Sequence, residues 1–271
     1  MKKPSLFLFF IVILTISQSQ ASELIPVPKL HRQALRVYAP GERLVYDVRY
    51  MGIRAGTAVL EVLDSTKLNG RDVYHILSTV RSNDFISFFY PVDNRIESFI
   101  DTEKLYSHFI KIKQRQGKRR REKVIGFNQV HHRAVQIRNN RSSIFEIPPN
   151  VQDSLSSLYF FRTLPPVEVG TSTFIPVHES RKNWELEIQV LNKERVKTKV
   201  GVFDTIKVKA VVRYEGLLMD KGDVYIWFTD DEKRIPVKIK SKIKIGSISI
   251  SLISLTGQNS VLVSNQIEHL S

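Results

Sequence analysis

The sequence predicts a mainly β protein: a curved antiparallel sheet forming an open or partly closed barrel, with one short helix packed on it. The first observation is the alternation between residues 223 and 255, where Ile235, Val237 and Ile239 fall on one face and Lys238 and Lys240 on the other. A period of two separates these sets, so this is a long β-strand with an apolar face and a cationic face. The second observation is that similar alternating segments, separated by turn residues, recur along the chain.

The N-terminus has the pattern of a secretory signal peptide. Met1-Lys2-Lys3 precedes an apolar run from Leu6 to Ile16, and Ser19-Gln20-Ala21 places small residues before a cleavage site. An uncleaved membrane anchor is the alternative, but the run is shorter than the roughly twenty residues that span a bilayer. We expect residues 1–21 to be cleaved, the protein to be periplasmic, and no transmembrane span to remain.

The rest of the chain divides into an extended lead-in at residues 22–39, a single β-rich domain at 40–256 and a C-terminal tail at 257–271. Gly52 and Gly56 lie close together within a β pattern and indicate a bulge or tight turn. Asn69-Gly70 is a strong hairpin signal. The expected strands before the last meander are Leu44–Tyr50, Thr57–Leu63, Val73–Val80, Asn94–Ile100, Leu105–Gln114, Lys123–Phe127, Thr173–His178, Trp184–Leu191, Lys193–Val200 and Ile206–Tyr214.

One segment has a convincing helical pattern. Asp153-Ser154 is a helix cap, Leu155–Leu164 carries apolar residues at helical spacing, and Pro165-Pro166 ends the segment. A single apolar helix in a large β protein must bury its face against the sheet, so we expect it on the concave side.

Two further segments have both a structural and a functional interpretation. Phe85–Tyr90 is a dense aromatic cluster in a helical turn or loop tip; it either plugs one end of the core or forms an apolar lip that touches lipid or a partner. Lys111–Lys123 contains eight cations and one acid, Glu122. It is either a solvated charged loop or a polyanion contact at a hairpin tip.

The sequence offers little for catalysis. It has no cysteine, no phosphate-binding glycine motif and no nucleophile elbow. His178-Glu179 lacks the second histidine of a zinc-protease motif, and His131-His132 would point to opposite faces of an expected strand. We therefore expect no enzyme activity, no catalytic residue, no metal site and no cofactor.

The formal net charge is +14, or +12 without the two lysines of the signal peptide, and favours an anionic partner. Export argues against nucleic acid, and solubility is an alternative role for the charge. A curved sheet could enclose an apolar cavity, or its core could be fully packed. The candidate ligand-binding residues are Lys111, Lys113, Arg119, Arg120, Arg121, Phe85, Phe88, Phe89, Tyr159 and Trp227.

Four ordered motifs run through the chain. They are Gly41–Tyr46 with Gly52–Ala58, Asp153–Arg162, Gly201 with Phe203, and Trp227–Val237 with Ile245–Ile248. Together they resemble one family of exported bacterial proteins, the domain of unknown function 3108. The resemblance spans about Pro40 to Leu255 and implies an envelope β protein without established activity. Its architecture is similar to the incomplete barrels of lipoprotein-localisation factors, which clasp acyl chains.

These observations favour a non-enzymatic envelope protein that binds an amphiphilic or anionic component, such as lipid or lipopolysaccharide, in envelope assembly or transport. Acyl chains would lie on the concave side, with cations meeting phosphates at the rim and peripheral membrane contact. The alternative is a periplasmic assembly factor without a ligand cavity, whose basic hairpin and aromatic tip dock on an envelope complex. A glycan- or lipid-acting enzyme is the least favoured reading.

Overall fold

The computed structural model describes residues 37–214, 217–218, 223–243 and 246–257. The predicted signal peptide, most of the lead-in and most of the C-terminal tail lie outside these residues. The described part contains two helices, α1 (Asp84–Phe89) and α2 (Ser156–Thr163). Its strands are β1 Arg43–Tyr50, β2 Ile53–Val62, β3 Thr66–Leu68, β4 Arg71–Ser82, β5 Val92–Asp101, β6 Ser107–Gln116, β7 Arg119–Asn128, β8 Arg133–Arg138, β9 Arg141–Glu146, β10 Ser172–Glu179, β11 Lys182–Lys197, β12 Val202–Tyr214, β13 Leu217–Leu218, β14 Val224–Thr229, β15 Pro236–Lys242 and β16 Ser247–Thr256.

The strands form one antiparallel sheet that is not closed, which confirms the predicted fold class. Its order is β10-β11-β12-β14-β15-β16-β1-β2-β4-β5-β6-β7-β8-β9, with β3 beside β4 and β13 beside β12. The first and last strands pair along their lengths, from Arg43 opposite Thr256 to Tyr50 opposite Ile248. Strands β9 and β10 are the two edges.

The alternation in the sequence sets the two faces of the sheet. Along β15, Ser241 interrupts the apolar set and is itself buried, whereas Lys240 and Lys242 are exposed. On β14, Phe228 faces the interior and contacts Phe161 of α2 at 4.9 Å between ring centroids. The face that carries the lysines is therefore the outer face, and the face that carries α2 is the concave one.

Helix α2 lies on the concave face between two apolar clusters. The first cluster surrounds β1 and β16 and includes Leu155 and Tyr159; the second includes Phe160, Phe161 and Phe228. Every residue of α2 except Leu158 is buried, and Leu158 packs against both clusters. The predicted position of this helix is thus the position that the structure shows.

Buried polar groups hold both ends of α2. At its start, the Asp153 carboxylate accepts hydrogen bonds from the backbone of Leu155 and Ser156 (2.7 and 2.8 Å) and from the hydroxyls of Ser98 and Ser107 (2.6 Å each). Burial raises the pKa of this carboxyl, and the four hydrogen bonds oppose that shift. These contacts satisfy amides that a helix N-terminus leaves unpaired.

At the other end of α2, the Arg234 guanidinium takes the place of a further helical turn. It donates to the carbonyls of Phe161, Leu164 and Pro165 at 3.2, 2.7 and 2.5 Å. Because the helix ends there, the carbonyls of Leu164 and Pro165 have no helical amide partner, whereas the Phe161 carbonyl also accepts from the Leu164 amide at 3.3 Å.

Short contacts hold the two sheet edges near each other along a line that we call the seam. Gln152 forms an isolated parallel bridge with Val177 of β10. The Asn183 side chain donates to the Glu146 carbonyl at the end of β9 (2.9 Å), and the buried Lys123 ammonium pairs with Glu179. The barrel is incomplete in backbone pairing, but side chains bridge its gap.

Some elements differ from the sequence predictions. The aromatic cluster forms a second short helix, α1, which is the helical alternative of the two expected there. The two strands expected at residues 184–191 and 193–200 are one strand, β11, with a bulge between Val190 and Asn192. The expected placement of His131-His132 on a strand was wrong, because both lie in the turn before β8, where they are exposed. The hairpin of β8 and β9 was not predicted, since its polar residues weaken the alternation.

Candidate functional site: an aromatic and cationic end of the sheet

Helix α1 presents three phenylalanines to solvent. Its N-cap is Asn83, whose side-chain oxygen accepts a hydrogen bond from the Ile86 amide at 2.9 Å. Phe85, Phe88 and Phe89 are 65, 84 and 70% exposed, and none of the six residues of the helix is buried. Because large apolar side chains are seldom grouped in this way without a partner, α1 is a candidate interaction site.

The turn between β1 and β2 lies beside this helix. Asn83 joins them, since its amide donates to the Ala55 carbonyl and its side chain donates to the Arg54 carbonyl, both at 2.9 Å. The turn carries Met51 and Ile53, which are 60 and 62% exposed. We call the five residues of this surface the apolar tip: Met51, Ile53, Phe85, Phe88 and Phe89.

The basic hairpin of β6 and β7 lies on the opposite side of α1. Its turn residue Gly117 donates its amide to the Pro91 carbonyl at 2.8 Å, immediately after α1. Gly117 has a φ of 59°, and a Cβ there would lie 2.9 Å from the ring of Tyr90. The hairpin turn is thus fixed against the connection that carries the phenylalanines.

Except for Lys118 in the turn, the cations of this hairpin lie on two paired strands and not in a loop. Arg119, Arg120 and Arg121 are exposed at the start of β7. Lys113 on β6 is exposed and pairs with Glu122 at 3.3 Å, while Lys111 is half-buried farther from the turn. Arg115 and Lys118 are exposed as well, and Arg119 and Arg121 share one face of the hairpin while Arg120 lies on the other. Exposed cations therefore surround the hairpin turn next to the apolar tip.

Two other candidate residues do not lie at this end. Tyr159 is fully buried on α2, where its ring packs edge-on against Tyr38 with 4.9 Å between centroids. Trp227 is 5% exposed on the outer face, and its indole donates to the Glu194 carboxylate. The structure thus brings together the phenylalanines and the basic hairpin and separates both from Tyr159 and Trp227.

Sequence reasoning did not identify Met51 and Ile53 as part of a site. The sequence feature that could have identified them is the pair of apolar residues on either side of Gly52, at a turn where polar residues are usual. The neighbouring strand pair has the bulge that the glycines indicated, between Val48 and Arg49.

The motifs that carry the family resemblance meet inside the molecule. Glu42 from the first motif and Arg162 from the second form a bidentate ion pair at 2.6 and 2.7 Å, and both side chains are at most 2% exposed. Arg162 also donates to the carbonyl of Lys233, and Tyr46 donates to the carbonyl of Pro236, both in the fourth motif. The ion pair holds the pKa of Arg162 above its ordinary value despite burial. These residues join β1, α2 and the β14–β15 turn, which is an architectural role.

The seam contains two neighbouring buried polar residues, His178 and Glu179. His178 is almost fully buried; its Nδ1 lies 2.7 Å from the Asn183 side-chain oxygen, and burial lowers its pKa. Glu179 accepts from the Ser180 hydroxyl at 2.6 Å and from Lys123.

Within the described ranges, no group of three or more histidine, cysteine, aspartate or glutamate side chains could hold a metal ion. Over the same residues, no helix has the length and apolar character needed to cross a bilayer.

A family model and a solved structure of a β-barrel-like protein both match this chain. A family model described as "Protein of unknown function (DUF3108)" matches residues 45–253. The chain matches no curated protein sequence.

Among solved structures, a β-barrel-like protein of the unknown-function family DUF1849 from Brucella abortus is similar, with a TM-score of 0.53 and 9% identity over 80% of this chain and 97% of that one. A Bacteroides fragilis protein with a YmcC-like fold gives a TM-score of 0.32 at 12% identity, covering 81% of this chain and 97% of that one. The hypothetical protein CT021 of Chlamydia trachomatis gives 0.37 at 9%, covering 83% and 92%. Since two of these scores are below 0.5, the likeness in fold rests on the Brucella protein.

Proposed function

This chain belongs to the DUF3108 family of proteins of unknown function, and we propose that it is a non-enzymatic, exported envelope protein that binds an anionic, amphiphilic envelope component through its apolar tip and basic hairpin. The observation that carries the proposal is the contact between the two surfaces, with α1 fixed between the β1–β2 turn and the β6–β7 turn. One end of the molecule thereby presents apolar side chains and cations together.

Export to the periplasm is supported by the N-terminal sequence. The basic start, the apolar run and the small residues up to Ala21 form a signal-peptide pattern. An exported protein meets phospholipid and lipopolysaccharide, whose headgroups carry phosphate and whose acyl chains are apolar. These two features match the two parts of the proposed surface.

The apolar tip would insert into the headgroup–acyl boundary. Complete burial of a phenylalanine, methionine or isoleucine side chain is worth roughly 1.5–3 kcal/mol, so five partly inserted side chains could contribute several kcal/mol. The rings of Phe88 and Phe89 already contact each other edge-on at 4.9 Å and would insert as a unit. Aromatic rings at this depth are typical of membrane interfaces.

The arginines would supply the preference for anionic headgroups. Each cation near an anionic membrane surface contributes about 1 kcal/mol, and the contribution falls with ionic strength. Guanidinium groups also match phosphate oxygens with two parallel hydrogen bonds. Arg119, Arg120 and Arg121 together would therefore contribute about as much as one or two inserted rings.

This mechanism uses the end of the sheet and not its concave face. The concave face carries α2, and Phe160, Phe161 and Tyr159 are buried there. Trp227 lies on the outer face. The proposal therefore does not include Tyr159 or Trp227 among the ligand-binding residues.

The alternative function is an assembly factor that uses the same end to dock on an envelope protein complex. It would need the same exposed phenylalanines and arginines, but its partner would be a protein. An enzyme acting on glycan or lipid remains the third and least favoured function.

Sedimentation with vesicles tests the proposal. The chain from Ser22 would be incubated with vesicles of phosphatidylglycerol and phosphatidylethanolamine, and with phosphatidylcholine vesicles for comparison. We expect binding to the anionic vesicles that weakens at least about tenfold in Phe85→Ser/Phe88→Ser, because two inserted rings are lost. Arg119→Glu/Arg120→Glu/Arg121→Glu should weaken binding most at low salt.

The matched controls alter exposed residues elsewhere. Val135→Ser/Ile144→Ser removes two exposed apolar side chains from the outer face of β8 and β9, and Lys197→Glu/Lys199→Glu reverses charge at the β11–β12 turn. Equal binding by the wild type, the phenylalanine variant and the arginine variant would contradict the proposal. Absence of vesicle binding, together with capture of a defined envelope complex that the tip variants lose, would support the assembly factor instead.

A further inference from the structure

The outer face of β12, β14, β15 and β16 carries a second cationic surface that the proposed function does not use. The strand register places Lys209, Tyr225, Lys240 and Ser249 side by side in one row across these four strands. The next row is Lys207, Trp227, Lys238 and Ser251. Lys242 and Ser247 extend the surface toward the β15–β16 turn. We call this surface the lysine face.

In the described residues the lysines of β12 have ion-pair partners and those of β15 have none, although Lys242 is an electrostatic neighbour of Asp223. Lys209 pairs with Asp223 at 2.7 Å, and Lys207 lies 3.8 Å from Glu194. Within the part of the chain that the structure describes, Lys238, Lys240 and Lys242 form no ion pair with a carboxylate. The charge of β15 is therefore available to an external anion.

The aromatic rings of the lysine face are covered. The Lys238 ammonium lies 4.9 Å from the centre of the Trp227 ring, and the Lys207 ammonium lies 5.4 Å from that of Tyr225 and 5.2 Å from that of Trp227. Such cation–π contacts keep the ammonium groups above the rings. The rings are consequently not free to insert into a membrane or to stack on unpaired bases.

The other side chains between the cations are hydroxyls. Ser247, Ser249 and Ser251 are half-buried on β16, directly opposite Lys242, Lys240 and Lys238. A hydroxyl can both donate and accept a hydrogen bond, as sugar hydroxyls do. In composition, the lysine face is thus unlike the apolar tip.

The cations are spread along a line and do not converge on a pocket. Alternate residues of a strand are roughly 6.5–7 Å apart, and residues two strands apart are about 9.5 Å apart. Lys238, Lys240 and Lys242 have the first spacing along β15, and Lys209 and Lys240 have the second across the sheet. An extended polymer with repeated negative charges fits this arrangement better than a single small anion.

We infer that the lysine face binds an acidic polysaccharide, with the ammonium groups of Lys238, Lys240 and Lys242 meeting its carboxylates or phosphates and the serine hydroxyls meeting its sugar hydroxyls. This inference is independent of the proposed function, because it concerns different residues and a polar ligand. It assigns a role to the alternating lysines, which neither the apolar tip nor the basic hairpin includes.

Titration with polygalacturonate tests the inference, with neutral dextran as the ligand control. In Lys238→Gln/Lys240→Gln/Lys242→Gln, we expect affinity for polygalacturonate to fall about tenfold and its salt dependence to decrease, because three charge contacts are lost. Lys238→Arg/Lys240→Arg/Lys242→Arg should retain binding, since its charge is unchanged. The matched control is Lys104→Gln/Lys197→Gln/Lys199→Gln, which removes three positive charges at the exposed β5–β6 and β11–β12 turns, outside the lysine face. Its affinity for polygalacturonate should be within about twofold of the wild-type affinity.

The outcomes are distinct. If the control variant loses as much affinity for polygalacturonate as the lysine-face variant, net charge alone attracts the polymer and the inference is overturned. Wild-type affinity in the lysine-face glutamine variant would also overturn it. Equally tight binding of duplex DNA, lost in the same variant, would replace the polysaccharide with a general polyanion. Because Lys238 contacts the Trp227 ring, its substitution also removes a structural contact. The double variant Lys240→Gln/Lys242→Gln, which keeps Lys238, would therefore be measured beside the triple variant, and thermal unfolding would check that both are folded. Phe85→Ser/Phe88→Ser should bind polygalacturonate like wild type, which separates this site from the vesicle-binding surface.

Discussion

At the scale of single residues, the Glu42–Arg162 ion pair is almost completely removed from solvent. Two charges that have left water are stabilised only when their partners and hydrogen bonds are complete. Here the guanidinium meets both carboxylate oxygens, donates to the Lys233 carbonyl and lies over the rings of Tyr38 and Tyr159, 5.4 and 5.2 Å from their centres. The pair therefore depends on all three chain segments being in place.

Arg162→Met should lower the free energy of unfolding by about 3–5 kcal/mol, because it leaves the Glu42 carboxylate buried without its partner. Urea unfolding followed by circular dichroism measures this change. The matched control is Arg195→Met, since Arg195 pairs with Asp204 where both side chains are 71% exposed, and its loss should cost at most about 1 kcal/mol. A similar decrease in the free energy of unfolding in the two variants would show that the buried ion pair contributes no more to stability than the exposed one.

At the scale of elements, β2 and β4 approach each other closely at Gly56. A Cβ built at this glycine would lie 2.1 Å from the backbone carbonyl oxygen of Arg81. The contact comes just before Asn83, which caps α1 and anchors it to the β1–β2 turn. The absence of a side chain at Gly56 is thus a condition for the position of the apolar tip.

Gly56→Ala should destabilise the protein by about 1–3 kcal/mol, because the strand backbones must separate to admit the methyl group. Gly126→Ala on β7 is its control, since a Cβ there meets nothing within 4 Å and the substitution should be neutral or stabilise by up to about 1 kcal/mol. Thermal unfolding of both variants measures the difference. A Gly56→Ala protein as stable as Gly126→Ala would contradict the close approach.

At the scale of the whole molecule, the open sheet depends on the seam to hold its two edges together. Within the described residues, its backbone pairing is limited to one parallel bridge, and the other contacts are between side chains or from a side chain to the backbone, among them the Asn183 hydrogen bond and the ion pair between Lys123 and Glu179. An edge strand without a neighbour exposes unpaired amides. The seam should therefore be the place where the structure opens most readily.

Lys123→Met should increase amide hydrogen exchange in β9 and β10 far more than in β1 and β16, because it leaves Glu179 without its cation at the seam while the centre of the sheet remains paired on both sides. Hydrogen exchange followed by mass spectrometry resolves these segments. Lys113→Met, which removes the exposed cation of the Lys113–Glu122 pair, is the control and should leave all four strands unchanged. Uniform exchange across the four strands of the Lys123→Met protein would contradict a role for the seam.

The sequence by itself determined which face of each strand is apolar, where hairpins and bulges occur and where the buried helix starts and ends. These features depend on residues close together in the chain: the alternation of β15, the Asn69-Gly70 turn with φ of 50° and 80°, and the cap at Asp153. The sequence also supplied the phenylalanines and arginines of the candidate site. Local periodicity and turn chemistry are sufficient for all of these, because they involve neighbours within a few residues.

Only the tertiary structure decided which of the candidate residues meet. Helical spacing describes Tyr159 and strand alternation describes Trp227, but neither pattern says which distant residues pack on these side chains, so their separation from the candidate site could not be predicted. Glu42 and Arg162 are 120 residues apart, and the seam joins strands from opposite edges of the sheet. Such contacts depend on strand order and sheet curvature, which arise from the packing of the whole chain. They place α1 between the β1–β2 turn and the basic hairpin.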